Sequence, residues 1–316
     1  NLELAIAIFE KIQNFSLKAS TLSRLASIYG RIGNYNKALE FNNEGLKISK
    51  SINDKSTMLI FYKNSANINF ATGNFVKSIE DFNNALKIAE PSGSASDLAQ
   101  IYNNIANLYI QLGDYKESQR YALKALDKYK QVSDKIGITR AMLAIASSYE
   151  ETDPKAIEEY KKIVQYAEEN NLKSSLFAAQ VGIVYRAVLL KNYRLAHTYA
   201  QKAFKLEQDE RNTGASISLN NQFANLLIHC TDEELISFGI EPQNRYDKAK
   251  EYLDKSLAIG NNANPSFTYF TWHYLSIIQE KQQNYAQAYE SYKKYITLRD
   301  SVSGDEVKKQ ITRKEI

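Results

Sequence analysis

Gly33-Asn34-Tyr35 returns as Gly73-Asn74-Phe75 and again as Gly113-Asp114-Tyr115, each copy 40 residues after the last. Worn copies follow at Lys191-Asn192-Tyr193, Asn244-Arg245-Tyr246 and Gln283-Asn284-Tyr285. A fixed period of this size marks a repeat array, in which one repeat cannot bury its apolar face alone and stacked neighbours close the core. Three places after each aromatic position stands a small residue: Ala38, Ser78, Ser118, Ala156, Ala196, Ala249 and Ala288, spaced by 40, 40, 38, 40, 53 and 39.

On either side of the phrase the apolar residues recur at three- and four-residue steps, the helical period. Leu22, Leu25, Ala26 and Tyr29 precede the first copy; Phe82, Ala85 and Leu86 follow the second. Gly and Asn in the phrase stop one helix and turn the chain into the next. Each repeat therefore reads as a helix–turn–helix hairpin. The composition agrees: 12 Gly and 4 Pro in 316 residues leave little room for strands and tight turns. The fold expected is an all-α, right-handed solenoid of about seven long hairpins. A remnant second helix of an earlier repeat occupies 1–17, the array 18–300, and the start of an exit helix 301–316.

Other features exclude function classes. The charges nearly cancel, 40 basic against 36 acidic, and no basic block stands out, which argues against nucleic acid as a partner. Cys230 is the single cysteine, so no internal disulfide framework exists. No apolar run approaches the roughly 18–20 residues that cross a bilayer. The chain opens at Asn1 directly into a helical pattern, with no initiator Met or leader, and reads as a piece of a longer protein. No metal-ligand spacing, phosphate loop or nucleophile elbow is present, so neither a cofactor nor a catalytic residue is nominated. Carboxylate pairs such as Glu158-Glu159 read as solvated helix faces.

The hairpin pattern resembles the tetratricopeptide repeat family, whose motif is Trp-x2-Leu-Gly-x2-Tyr, then Ala-x3-Phe, then often Pro. The last hairpin supplies Trp272, Leu275, Ala288 and Tyr292; the third Ile105, Ala106, Tyr109 and Ser118; the second Ser78, Phe82, Ala85 and Pro91. The resemblance implies that the first helix of each hairpin lines a concave face. With the turn as ruler, the inward positions include Ser27 and Gly30, then Lys63 and Asn67, then Asn103 and Asn107. Arg140, Asn221, Asn225 and His273 follow in later hairpins. An Asn amide both donates and accepts, so a row of them suits capture of an extended peptide, and peptide-binding members of the family use Asn in this way. Lys63 resembles one half of the family's carboxylate clamp, but Asn103, Asn107, Leu143 and Ser147 stand where its other cations belong. A solvated face in an Asn-rich chain is the competing reading.

The 53-residue spacing marks an insertion at 231–244 that carries Phe238 and Ile240. It is a partner contact, or a neutral loop tucked against its own hairpin. The tail, Tyr292 to Ser301 and then a new charged helix from Asp305, resembles the junction in tetratricopeptide sensor proteins of Bacteroidetes-type bacteria. There such arrays often lie in the periplasm and feed a histidine kinase or a DNA-binding regulator. The resemblance implies a non-enzymatic input module that binds a peptide or protein segment. An assembly scaffold, self-associating as a homodimer, is the alternative.

Overall fold

A computed structural model describes residues 2–207, 213–262 and 268–313. Among them are sixteen α-helices and no strand. They are α1 (Leu2–Lys11), α2 (Phe15–Arg31), α3 (Tyr35–Ser51), α4 (Lys55–Ala71), α5 (Phe75–Ser92), α6 (Ala95–Leu112), α7 (Tyr115–Gln131) and α8 (Lys135–Ser147). Then follow α9 (Lys155–Glu169), α10 (Lys173–Leu189), α11 (Tyr193–Glu207), α12 (Thr213–His229), α13 (Asp232–Ser237), α14 (Arg245–Asn262), α15 (Tyr269–Lys281) and α16 (Tyr285–Arg313). The hairpins are α2–α3, α4–α5, α6–α7, α8–α9, α10–α11, α12–α14 and α15–α16. The helices form two compact units, one of residues 1–144 and 307–316, the other of 145–306.

The period in the backbone is half the period in the sequence. Left-handed residues fall at Gln13, Gly33, Asn53, Gly73, Gly93, Gly113 and Ser133, twenty apart throughout. The turn inside a hairpin and the turn between hairpins are thus the same turn. In it one residue does two jobs. The Asn34 N–H closes α2 on the Tyr29 carbonyl (2.9 Å), while its side chain accepts the Lys37 N–H and opens α3. Asn14, Asp54, Asp114 and Asp134 repeat the pair of bonds, the first onto Phe9, Ser49, Tyr109 and Tyr129, the second from Leu17, Thr57, Glu117 and Gly137. This joins the left-handed stop of one helix to the N-cap of the next with no residue between them. The residue before it must tolerate a positive φ, and among the described residues Gly holds five of the eleven positive-φ positions, which run from +53 to +78°.

Stacking is equally regular. The small residues Ala38, Ser78, Ser118, Ala156, Ala196 and Ala249 are all fully buried. One turn further on, so are Asn42, Ala122, Ala200 and Leu253, and Phe82 and Tyr160 nearly so. In the seventh hairpin the same face of α16 is open: Ala288 is only half-buried, and Tyr285, Tyr289 and Tyr292 are exposed at 66, 66 and 48%. Where consecutive hairpins meet, a ring on one helix lies against a glycine on its neighbour. The pairs are Phe61 with Gly45, Tyr129 with Gly137 and Tyr160 with Gly182. In the first unit the core runs through Leu22, Phe61, Phe82, Ile101 and Leu108; in the second through Ile163, Phe177, Ile183, Leu219, Phe223 and Leu226.

Two boundaries differ from the sequence expectation. α2 begins at Phe15, ahead of the 18 drawn from the repeat. No new helix starts at Asp305, because α16 runs unbroken from Tyr285 to Arg313. Gly304-Asp305 repeats the letters of the Gly113-Asp114 turn, yet the helix continues through them. Residues 314–316 of the expected exit segment lie outside the described residues.

Candidate functional site

In the first unit the first helices α2, α4 and α6 lie side by side and exchange side-chain bonds at a spacing of 34–37 residues. Asn64 Nδ2 donates to Ser27 Oγ (3.5 Å). Asn104 Nδ2 donates to Asn67 Oδ1 (3.1 Å). Lys63 Nζ donates to Asp97 Oδ1 (2.7 Å) and Gln100 Oε1 (3.3 Å). The result is a polar row across three helices, with Ser27, Asn67 and Asn107 exposed and Asn64 and Asn104 half-buried.

The expected residues divide on inspection. Asn67 and Asn107 lie on this row. Asn103 does not: it is buried at 6%, its Oδ1 has no partner, and the adjacent Asn104 reaches across to α4 instead. A helix advances 100° per residue, so Asn103 and Asn104 point apart, and the row on α6 runs through Asn104 and Asn107. Lys63 is already neutralised. Burial raises the Asp97 carboxyl, but the hydrogen bonds from Lys63 and Ser94 outweigh it and hold the carboxyl below its usual range. A carboxylate ligand would have to displace Asp97 from the lysine. Arg140 is exposed and interacts with the Tyr129 hydroxyl.

In the second unit Asn221 is buried and accepts from Thr271 Oγ1 (2.9 Å), a tie between α12 and α15. Asn225 is half-buried, and its carbonyl lies 3.0 Å from His229 Nδ1. His273 is half-buried against the Tyr295 ring (centroids 4.7 Å), its Nδ1 has no partner, and burial lowers its pKa. The pattern did not single out Arg186. Its buried guanidinium donates to the carbonyls of Glu150 (2.8 Å) and Tyr149 (3.0 Å), just past the end of α8. It ties the chain that leads from α8 toward α9 to α10. An Arg inside the apolar run Val181–Leu189 was the only signal of it.

The insertion is held by its own unit. Thr231 and Glu234 form a capping box that starts α13. Leu235 is fully buried, Phe238 stacks on His197 (4.0 Å, 8°), and Ile240 is half-buried. Ile236 is the apolar side chain that the loop exposes. Cys230 is buried, and burial pushes its thiol up to about 11, which keeps it protonated and unreactive near neutrality. Among the described residues no three His, Cys, Asp or Glu side chains group as metal ligands, and no helix is long and apolar enough to cross a membrane.

Among solved structures the chain is similar to aspartyl phosphate phosphatase F from Bacillus subtilis: 16% identity, 94% of this chain and 74% of that one covered, TM-score 0.64. It is similar to a signal transduction ATPase with numerous domains from Pyrococcus horikoshii, which carries a tetratricopeptide repeat sensor: 15% identity, 92% and 44% covered, TM-score 0.63. The chain therefore spans under half the length of that protein. A Rap protein complexed with Competence and Sporulation Factor matches at 14% identity, 92% and 99% covered, TM-score 0.55. At these identities the likeness speaks for the fold. No curated protein matches the sequence. Two family models described as tetratricopeptide repeat match residues 19–52, 56–131 and 97–169, over the same hairpins whose turns and stacking are set out above. The chain is a tetratricopeptide repeat protein.

Proposed function

We propose that this chain is a non-enzymatic module that binds a protein or peptide segment, and that it serves as the signal-input region of a bacterial regulatory protein. The carrying observation is the polar row Ser27, Asn64, Asn67, Asn104 and Asn107 on three adjacent helices of the first unit. Each amide in it has two donors and an acceptor, and the bonds across the row use only part of that capacity. An extended peptide needs such groups at intervals along its backbone. The sensor role draws support from the repeat sensor named in the Pyrococcus ATPase and from the Rap complex with its factor. A ligand changes an output only through its differential affinity for two states of the array.

The test is a selection of displayed peptides on the folded chain, repeated with the Asn67→Ala, Asn104→Ala double variant. Each hydrogen bond is worth about 0.5–1.5 kcal/mol net, so loss of two predicts roughly tenfold weaker binding or more. The Tm should fall by no more than a few degrees, because the variant loses only the Asn104–Asn67 bond and no core residue. Peptides held equally by both proteins would remove the row from the reading.

The assembly alternative has one observation in its favour, the open aromatic face of α16 at Tyr285, Tyr289 and Tyr292. Light scattering on the wild-type chain and on Tyr289→Glu, Tyr292→Glu tests it. A dimer dissolved by those changes would favour self-association; a monomer at high concentration would end it.

A further inference from the structure

The first hairpin departs from its neighbours at one register. Three residues before the turn glycine, the second and third hairpins carry Phe70 and Ile110, and the first carries Gly30. In the second hairpin Phe70 sits edge-on to Phe75, 6.0 Å between centroids. In the first, the place beside Tyr35 holds no side chain, and a pocket of about 340 Å³ opens there between α2 and α4. Ala26, Gly30 and Ile68 are among its apolar lining; Arg31, Asn64 and Asn67 bring polar groups to it. A Cβ at 30 would come no nearer than 3.9 Å to Ile68, so the glycine is not there to let two helices touch. Arg31 makes no ion pair among the described residues, unlike Lys63 on the next helix.

We infer that this pocket is a specificity subsite for one bulky apolar side chain of a bound peptide, aromatic or branched, that is followed by an acidic residue. The inference rests on the peptide-binding reading above and names the sequence which that surface selects. The peptide side chain supplies the ring that Gly30 omits and packs on Ile68 and Tyr35. Asn64 and Asn67 hold the backbone on either side. The carboxylate that follows meets the uncompensated guanidinium of Arg31, and opposite charge fixes which peptide direction is favoured. Apolar burial provides the affinity and the surface ion pair the choice, because an exposed pair contributes little by itself.

The test uses acetyl-Gly-Phe-Asp-Gly-amide at millimolar concentration, read by amide shifts of the isotope-labelled chain. The expected result is saturating shifts at Gly30, Asn64 and Asn67. Replacing Phe by Ala in the peptide should weaken binding about tenfold or more. Gly30→Ile, which fills the pocket from the protein side, should do the same. Urea unfolding of Gly30→Ile beside wild type serves as the folding control, so that lost shifts in a folded variant report the filled pocket. Arg31→Gln should weaken the Asp peptide by about two- to fivefold and leave its Asn analogue unchanged. Shifts around Asn104 and Asn107 that are indifferent to Gly30→Ile would overturn the subsite and leave the polar row standing. No shift anywhere on α2, α4 or α6 with any of the peptides would overturn both.

Discussion

Gly45→Ala and Gly30→Ala make the same chemical change in neighbouring helices of one unit, and the structure predicts opposite signs. In a helix the exchange gains about 0.5–1 kcal/mol, because Ala loses less backbone freedom on folding. At position 30 nothing opposes the gain: the nearest atoms to the new methyl are Ile68 Cγ1 at 3.9 Å and Ala38 Cβ at 4.0 Å. At position 45 the methyl would land inside the van der Waals envelope of the Phe61 ring, which is fully buried against Ala19 and Leu22. Overpacking a closed core costs about 1–3 kcal/mol, so Gly45→Ala should end up destabilised by roughly 1–2 kcal/mol. At about 2–4 °C per kcal/mol, Gly45→Ala should lose a few degrees of Tm, and Gly30→Ala should gain one or two. The assay is thermal and urea unfolding followed by circular dichroism. Hydrogen exchange on α3 and α4 would show that the change lies in the first unit, since two units need not melt together. Phe61→Leu should cost less in the Gly45→Ala background than in wild type, and a double-mutant cycle measures that coupling. If Gly45→Ala is as stabilising as Gly30→Ala, the ring moves aside freely, and the account of ring-against-glycine contacts between hairpins is wrong.

Asp54→Ala removes the acceptor of the Thr57 N–H and hydroxyl, and should cost about 1 kcal/mol of stability in urea titrations at neutral pH. Those bonds also lower the Asp54 pKa, side-chain Thr57 first, so its contribution is present above the unfolded carboxyl value. That contribution should fade as pH falls through the folded one, making the deficit of the variant shrink in acid. His197 and His273 both have pKa values lowered by burial, so the unfolded chain binds protons first as pH falls below about 6.5. Tm should decline between pH 7.5 and 5.5, and the slope should flatten in His197→Gln, His273→Gln. Arg186→Met strips the Tyr149 and Glu150 carbonyls of their donors and should lower stability by about 2–4 kcal/mol, seen as a Tm loss that Arg186→Lys recovers only in part.

The sequence by itself determined the repeat, the helix type and the hairpin turns, because these are local. A left-handed stop beside an Asn or Asp cap is written in two adjacent residues, and apolar spacing at 3.6 per turn needs no distant partner. Even there part of the signal lay unused: Asn14, Asp54 and Asp134 carry the same 20-residue rhythm as Asn34, Asn74 and Asp114, without the glycine that made the latter visible, and Gly93-Ser94 carries it without the aromatic that follows. What only the tertiary structure decided depends on which side of a helix its neighbour occupies. Asn103 and Asn104 are equal as letters; helix packing buries one and sends the other across to Asn67. Lys63 reads as a free cation until α6 brings Asp97 beside it, 34 residues away. Phe238 reads as a partner contact or as part of a tucked loop, and only the fold stacks it on His197. The pocket at Gly30 exists because α2 presents no side chain there while α4 passes alongside with Asn64, Asn67 and Ile68. Such facts rest on distances between helices, which a one-dimensional pattern does not encode.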